Sequence, residues 1–410
     1  MRAVAAALCL LISAAACAKD EPSSSVDRLR VYVVAPFSKL PSVAKPIELG
    51  ARLAASEINA QGGVEVKGHK VKFDVHILDD EGSATTAASA IRKAVSEQAV
   101  GVVAEGTGVD VAWEDANRAG VPIGVVYQGG EHLIDVGGRP NVFRIAPTNR
   151  GVAFRLAEYL VPKGLRIGLL HDDSPYGAAG QSALDRAFSR NRLSVAGQYR
   201  LSSAPGADPA PQVLQARQAG ASALLVWASP SVVASVVRAA RSTGWDVPVY
   251  TSTSGSDPLV RQQLASQPTW LDGLTFVSSR LTSEKGPAPF ERYRAAFEEE
   301  FGPQRVGVRT ADGKDVVAPP DWAMYSYDFV RVLADAVARS QSLSPSAALV
   351  AAMEETEVQG ANGDERGFNR KNHEGVVDDD VFFAVFNDMV WTPVRDDPLS
   401  ASLPPIPQTL

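Results

Sequence analysis

The chain has 410 residues, 45% of them hydrophobic and 21% charged, with a formal net charge of −7. That length suits two globular domains with cores of their own, and the balance excludes a disordered chain. The negative charge disfavours nucleic acid, whose affinity comes mainly from Lys and Arg on phosphates, and no basic stripe is present.

Met1-Arg2 is a minimal positive start, Ala3 to Ile12 is apolar, and Ser13-Ala14-Ala15-Ala16-Cys17 follows. This is the layout of a secretory signal peptide over residues 1–16, with an apolar part too short to span a bilayer. The cysteines are Cys9 and Cys17, so the body after Cys17 has none and cannot hold an internal disulfide. Ala14 to Cys17 resembles a bacterial lipobox, with Ala14 where Leu is usual. It predicts lipidation at Cys17 and a membrane anchor, with plain cleavage near Ala16 or Ala18 as the alternative. Residues 17–28 then form a polar, Ser-rich tether.

From Leu29 onward strands and helices alternate. Arg30 to Val34 reads as a buried strand, and Pro46 to Ala60 as a helix ended by Gln61-Gly62-Gly63. Lys70 to Leu78 alternates, with Val71, Phe73, Val75 and Ile77 on one face. Ser83 caps the next helix, Val100 to Ala104 is a strand, and Gly106-Thr107-Gly108 turns into a helix with Val109, Ala112, Trp113 and Ala116 inward. Val121 to Val126 is a strand. The pattern then restarts: Thr148 caps a helix, and Leu165 to Leu170 is a strand followed by a loop over His171 to Gly180. Further strands are expected at 195–201, 223–227 and 247–251, with a helix over 229–243. This regularity predicts two Rossmann-like units with mainly parallel sheets covered on both faces.

The final third is less regular. Leu274 to Ser278 reads as a strand, Pro289 to Phe301 as a helix and Gly302 to Pro320 as loop. Helices follow over Trp322 to Gln341 and Pro345 to Thr356, the second capped by Ser344. Val381 to Trp391 reads as a hairpin turning at Asn387-Asp388. Pro393 onward is expected to fray, with 397–410 a disordered tail.

Several stretches carry a family resemblance: Gly50 to Gly63 (GARLAASEINAQGG), Leu78 to Glu81 (LDDE), Asn141 to Arg144 (NVFR), Asp172 to Gly177 (DDSPYG) and Tyr325 to Asp328. Over nearly all of residues 29–395 the chain resembles the branched-chain amino acid and amide group of type I periplasmic binding proteins, the Leu/Ile/Val-binding-like family that serves ABC importers. The resemblance implies one lobe of 29–146 plus 273–355 and a second of 147–272 plus 356–396. The chain then crosses between lobes three times, with ligand where the carboxyl ends of both sheets meet.

The candidate ligand residues follow strands on that side. Glu105-Gly106-Thr107 opens a helix whose N–H groups suit a carboxylate, or is a simple tight turn. The family uses this loop for the ligand carboxylate. Tyr127-Gln128-Gly129 follows the next strand, and Gly130 stands where the family's Thr would be. Tyr176 matches the family's cleft tyrosine, with a packed ring as the alternative. Trp227, Ser229, Ser252 and Thr253 end strands of the second lobe, and Ser38 is placed at the entrance. Asp257 is a candidate acid for an ammonium group and reads equally as a helix cap. Tyr127, Tyr176 and Trp227 together suggest an aromatic-walled cleft suited to a planar or cationic ligand.

No zinc-type histidine pair is present, and 362–373 only partly mimics a calcium loop, with Arg366 and His373 at ligand positions. No nucleophile elbow, phosphate loop or dinucleotide fingerprint is found. The reading is a monomeric, extracytoplasmic solute-binding protein with no cofactor or metal, docking on a membrane permease. The alternatives are a sensing receptor on the same fold and, less favoured, an exported enzyme.

Overall fold

The computed structural model describes residues 28–403, apart from 192, 194, 280–288, 318–320 and 378–379. The first half runs β1 (Arg28–Ala35), α1 (Pro41–Ala60), β2 (Val64–Val66), β3 (His69–Asp79), α2 (Ala84–Ser96), β4 (Gly101–Ala104), α3 (Val109–Ala119), β5 (Ile123–Val125) and β6 (Val142–Arg144). Next come α4 (Asn149–Leu160), β7 (Ile167–Asp172), α5 (Pro175–Asn191), β8 (Val195–Leu201), α6 (Ala210–Gln218), β9 (Ala223–Trp227), α7 (Pro230–Ser242), β10 (Val249–Thr251), α8 (Pro258–Leu264) and β11 (Leu274–Ser278). The last part comprises α9 (Pro289–Phe301), β12 (Arg305–Arg309), β13 (Asp315–Val317), α10 (Asp321–Ser340), α11 (Ala347–Met353), β14 (Glu357–Gln359), β15 (Glu365–Gly367), β16 (Phe382–Asn387), β17 (Val390–Pro393) and α12 (Pro398–Ala401).

Two large sheets organise these elements. One has the order β2-β3-β1-β4-β5-β6, and the other β17-β16-β11-β10-β9-β7-β8. In the first, only β2 pairs antiparallel. In the second, β16 and β17 add an antiparallel edge to a parallel set. The expected α/β architecture, with mainly parallel sheets covered on both faces, is therefore present.

The side-chain alternation of β1 shows why both faces need helices. Val31, Val33 and Ala35 pack with α1 and α10, whereas Tyr32 and Val34 pack with α2 and α3. The second sheet divides likewise. Leu224 and Val226 join the α6–α7 side, and Leu225 and Trp227 join the α4–α5 side.

Local readings hold where a single cap or period decides them. Ser83 and Thr148 accept backbone N–H groups at the starts of α2 and α4. Others shift. Helix α1 begins at Pro41, because Pro46 inside its early turns removes only one hydrogen bond. Helix α5 begins at Pro175, so Tyr176 stands in its first turn and the loop after β7 is short. Ile77 is exposed at the end of β3 and Trp113 only half-buried. Residues 305–317 form the hairpin β12–β13 in place of the expected loop. Ser346, not Ser344, caps α11, accepting from Leu349 N. The β16–β17 turn is centred on Asp388 and Met389, both in the left-handed region with φ of 46° and 65°.

The lobe boundaries also move. The expected division puts β11 in the first lobe, but it lies between β10 and β16 in the second sheet. The same division gives the β14–β15 hairpin to the second lobe, yet it stays with α10 of the first: Ala361 N donates to Asp328 at 2.7 Å. The expected fraying after Pro393 fails for the described residues up to 403. Asp397 caps α12 and pairs with Arg155, and Tyr159 donates to Asp396 at 2.8 Å. The signal peptide, Cys17, the tether through residue 27 and tail residues 404–410 lie outside the described residues.

Candidate functional site

The carboxyl ends of the two sheets meet across a narrow cleft. Tyr127 and Gly129, beyond β5, and Asp321, Trp322 and Tyr325, in the first turns of α10, wall it from one side. Tyr176 of α5, Trp227 at the end of β9, and Thr253 and Ser256 after β10 wall it from the other. Pro147, Asn149 and Val152 line it where the chain passes from β6 into α4. About 30 Å3 is left between these walls, room for no more than about two waters.

Aromatic rings dominate the lining. Tyr127 and Trp322 meet edge to face with centroids 5.3 Å apart. Tyr176 and Trp227 meet at 5.9 Å, tilted by 42°. One pair belongs to each lobe, so an occupant between them would touch rings from both. Trp227 is held by close packing: a Cβ on Gly180 would fall 2.2 Å from its Cδ1 and Nε1, so only glycine lets α5 approach the ring. The Tyr176 hydroxyl and Ser252 Oγ are 2.7 Å apart, and Ser252 Oγ lies 3.0 Å from Ser254 Oγ. Burial pushes the hydroxyl pKa of both Tyr127 and Tyr176 upward, so both are neutral phenols.

The structure thus brings together Tyr127, Gly129, Tyr176, Trp227 and Thr253 of the sequence-derived candidates. Ser252 stands behind the wall as the partner of Tyr176. Glu105, Gly106, Thr107 and Gln128 are not in the lining; they are tied to one another. Glu105 Oε2 accepts from Thr107 N at 3.0 Å, and Gln128 Nε2 donates to Glu105 Oε1 at 3.1 Å and Thr107 Oγ1 at 2.8 Å. Gly106, at φ 136°, leaves room for the Gln128 side chain, which a Cβ would meet at 2.6 Å. Ser38 is exposed near Asp79, away from the lining. Ser229 spends its backbone N–H on Asp172 Oδ2 at 2.8 Å, which ties α7 to β7. Asp257 is the cap of α8, accepting from Leu259 N at 2.8 Å.

Asp321, Trp322, Tyr325, Asn149 and Ser256 line the cleft and are not among the sequence-derived candidates. The pattern Asp-Trp-x-x-Tyr at a helix start, with its aromatics one turn apart, is the signal that could have found three of them. Asp321 is fixed by Ser278 Oγ at 2.9 Å and Ser279 N at 3.0 Å, which joins the start of α10 to the end of β11. Among the described residues no group of His, Cys, Asp and Glu is arranged to hold a metal ion, and no helix is long and apolar enough to cross a membrane.

Residues 34–388 match the family model described as periplasmic binding protein. The chain belongs to that family. This periplasmic binding protein is also similar to the Leu/Ile/Val-binding protein homolog 8 of Brucella abortus, with 29% identity over 142 residues, 32% of the chain and 34% of the relative. The match therefore spans about a third of the curated relative's length. Its fold resembles the branched-chain amino acid transporter substrate binding protein LivJ of Streptococcus pneumoniae, in complex with isoleucine. That likeness has a TM-score of 0.72 at 18% identity over 89% of this chain and 97% of that one. It also resembles a solute binding protein of an ABC transporter from Rhodopseudomonas palustris, in complex with 3,4-dihydroxybenzoic acid. There the TM-score is 0.71 at 17% identity over 88% and 93% of the two chains. At these identities the likenesses show the fold. Family membership makes the chain a binding protein that works outside the cytoplasm.

Proposed function

We propose that the chain is the solute-binding component of an ABC importer, capturing a small polar molecule by closing its lobes. One observation carries the reading: the cleft is walled by a ring pair from each lobe, Tyr127–Trp322 and Tyr176–Trp227. A ligand touching both pairs gains contacts only when the lobes are together, so binding shifts the open–closed equilibrium toward closure. The closed form then docks, as a monomer, on a permease. Lipidation at Cys17 would hold it near that partner.

The supporting relatives differ in what they hold. The Streptococcus pneumoniae protein is in complex with isoleucine and the Rhodopseudomonas palustris protein with 3,4-dihydroxybenzoic acid, so the fold alone does not choose the ligand. The test is thermal stability of the purified protein against amino acids, amides, urea, polyamines and small aromatic acids, with small-angle X-ray scattering on any hit. A ligand that binds the folded state raises Tm by mass action. A rise accompanied by a smaller radius of gyration supports capture by closure. Turnover of a bound compound would overturn it in favour of an enzyme.

A further inference from the structure

Helices α9 and α10 belong to the first lobe. Tyr293 of α9 meets Tyr327 of α10 with ring centroids 5.1 Å apart, and Ser56 of α1 donates to Glu300 near the end of α9 at 3.4 Å. A Cβ on Gly50 of α1 would fall 1.9 Å from Ala323 O, so α1 and α10 touch backbone to backbone. The β12–β13 hairpin between α9 and α10 does not stay with them. β12 packs on α8 of the second lobe, where a Cβ on Gly307 would lie 3.5 Å from Gln262 Nε2. The hairpin tip reaches the β16–β17 turn, with Ala311 N donating to Asp388 Oδ1 at 2.7 Å. Residues 305–317, expected in the first lobe, therefore sit on the second. The chain passes between the lobes twice more than expected, out after α9 and back into α10.

The hairpin is built as a unit. Asp315 pairs across the strands with Arg305 at 2.9 Å and Arg309 at 3.0 Å, and Thr310 N donates to Lys314 O at 3.0 Å to close the turn. Arg305 faces Val317 and Arg309 faces Asp315, so β12 bulges between them. Gly307 stands in that bulge at φ 78°, a conformation that glycine adopts without strain, and it faces α8. Val308 and Val316 are buried in the apolar core.

When the lobes swing apart, α9 and α10 move with α1, and α8 moves with the second sheet. From Phe301 at the end of α9 to Arg305 at the start of β12 the chain has four peptide steps, which reach at most about 14 Å fully extended. A docked hairpin therefore bounds the opening. Going further requires Val308 and Val316 to leave their packing and Ala311 to give up its bond to Asp388. We propose that the β12–β13 hairpin is a strap across the two lobes, which must leave α8 before the cleft opens fully. This rests on the lobe motion of the solute-binding reading and names the element that restrains it.

The experiment is a reversible lock. In the purified full chain with Cys9→Ser and Cys17→Ser, Ala311→Cys with Asp388→Cys puts one thiol pair at the contact between the hairpin tip and the second lobe. A second variant replaces residues 305–317 by a Gly-Ser chain of equal length, which keeps the connection and removes the docking. Acrylamide quenching of tryptophan emission and the radius of gyration from small-angle scattering read the opening. The Gly-Ser variant is expected to show stronger quenching and a larger radius than the parent, with part of the added quenching lost under Trp322→Phe, since Trp322 lines the cleft. Oxidising the thiol pair is expected to lower quenching below that of the reduced form, and a reducing agent to restore it, which decides the matter even where the Gly-Ser variant folds poorly. Equal quenching and equal radius in all these forms overturn the strap. The panel of amino acids, amides, urea, polyamines and small aromatic acids separates the two levels. Wider opening of the Gly-Ser variant with no compound raising Tm keeps the strap and sinks solute capture. A compound that compacts the parent, with strap variants that open no differently from it, keeps capture and sinks the strap.

Discussion

Arg144 and Glu374 form a two-pronged ion pair between two of the segments that carry the chain from one lobe to the other. Arg144 Nε donates to Glu374 Oε2 at 2.7 Å, and a second guanidinium nitrogen donates to Oε1. Arg144 is fully buried, and its remaining nitrogen donates to Gly130 O at 2.8 Å and Gln128 O at 3.3 Å. The backbones are joined too: Arg144 N donates to His373 O and Gly375 N to Arg144 O. The pair therefore fixes the loop that carries Tyr127 and Gly129 to the crossing itself. Removing one partner of a buried pair leaves a charge without compensation. Glu374→Ala is expected to lower unfolding free energy by about 3 kcal/mol in urea titration. Replacing both, with Arg144→Met and Glu374→Leu, is expected to recover part of that loss. Additive losses in the double variant would mean the pair is not a unit.

Trp227 is held against α5 by the absence of a side chain at Gly180. A Cβ there would lie 2.2 Å from the indole, so Gly180→Ala forces the ring toward the cleft. Overpacking of this kind costs about 1–3 kcal/mol. The expected outcome is a lower urea midpoint with a shifted tryptophan emission, and weaker ligand binding. An unchanged emission spectrum would show that the helix moves and the ring does not.

The fold was legible because it rests on local periods. In the first sheet β3 carries its own alternation and β4 and β5 read as short apolar runs, and each cap sits beside the helix it starts. The site was legible in part, since Tyr127, Tyr176 and Trp227 follow strands whose ends must face the cleft. Trp322 and Tyr325 stand one turn apart at a helix start, which a local reading can mark, but that the start of α10 reaches the cleft is a long-range fact, fixed by the bonds of Asp321 to Ser278 and Ser279. Glu105, Thr107 and Gln128 have the right residue types in the right loops, yet they satisfy one another. Sequence shows which groups are near a cleft and cannot show which have already found partners.

Asp80 gives the folded state a pH dependence of known sign. Burial pushes its carboxyl from an ordinary 3.8 up to about 6, helped by the nearby charges of Glu105 and Asp79 and opposed by the Gly82 N–H. A raised carboxyl pKa means that folding favours the protonated form. Its contribution is therefore fully present below about 3.8 and is lost as pH rises through about 6. Asp80→Asn removes the titration, so the variant should gain on the parent by up to about 3 kcal/mol between pH 4 and 7. Urea unfolding of both proteins across that range checks this. Parallel stability curves would place the Asp80 carboxyl near its ordinary value. Asp257 and Asp328, also raised to about 6 by burial, keep some of the slope in the variant.

Tyr176 does two separable things. Its ring forms the cleft wall with Trp227, and its hydroxyl meets the fully buried Ser252 at 2.7 Å. Tyr176→Phe keeps the wall and removes one hydrogen bond. Ser252 retains Ser254 as a neighbour at 3.0 Å, so the cost should be about 1 kcal/mol of stability. Ligand affinity in that variant should change little. Tyr176→Ala removes the wall as well, and affinity should then fall by about tenfold or more, the loss expected when one well-placed ring contact goes. Calorimetric titration of the two variants with one ligand separates the roles. Equal losses would assign binding to the hydroxyl, and an unimpaired Tyr176→Ala would remove Tyr176 from the site and leave the Tyr127–Trp322 side to hold the ligand.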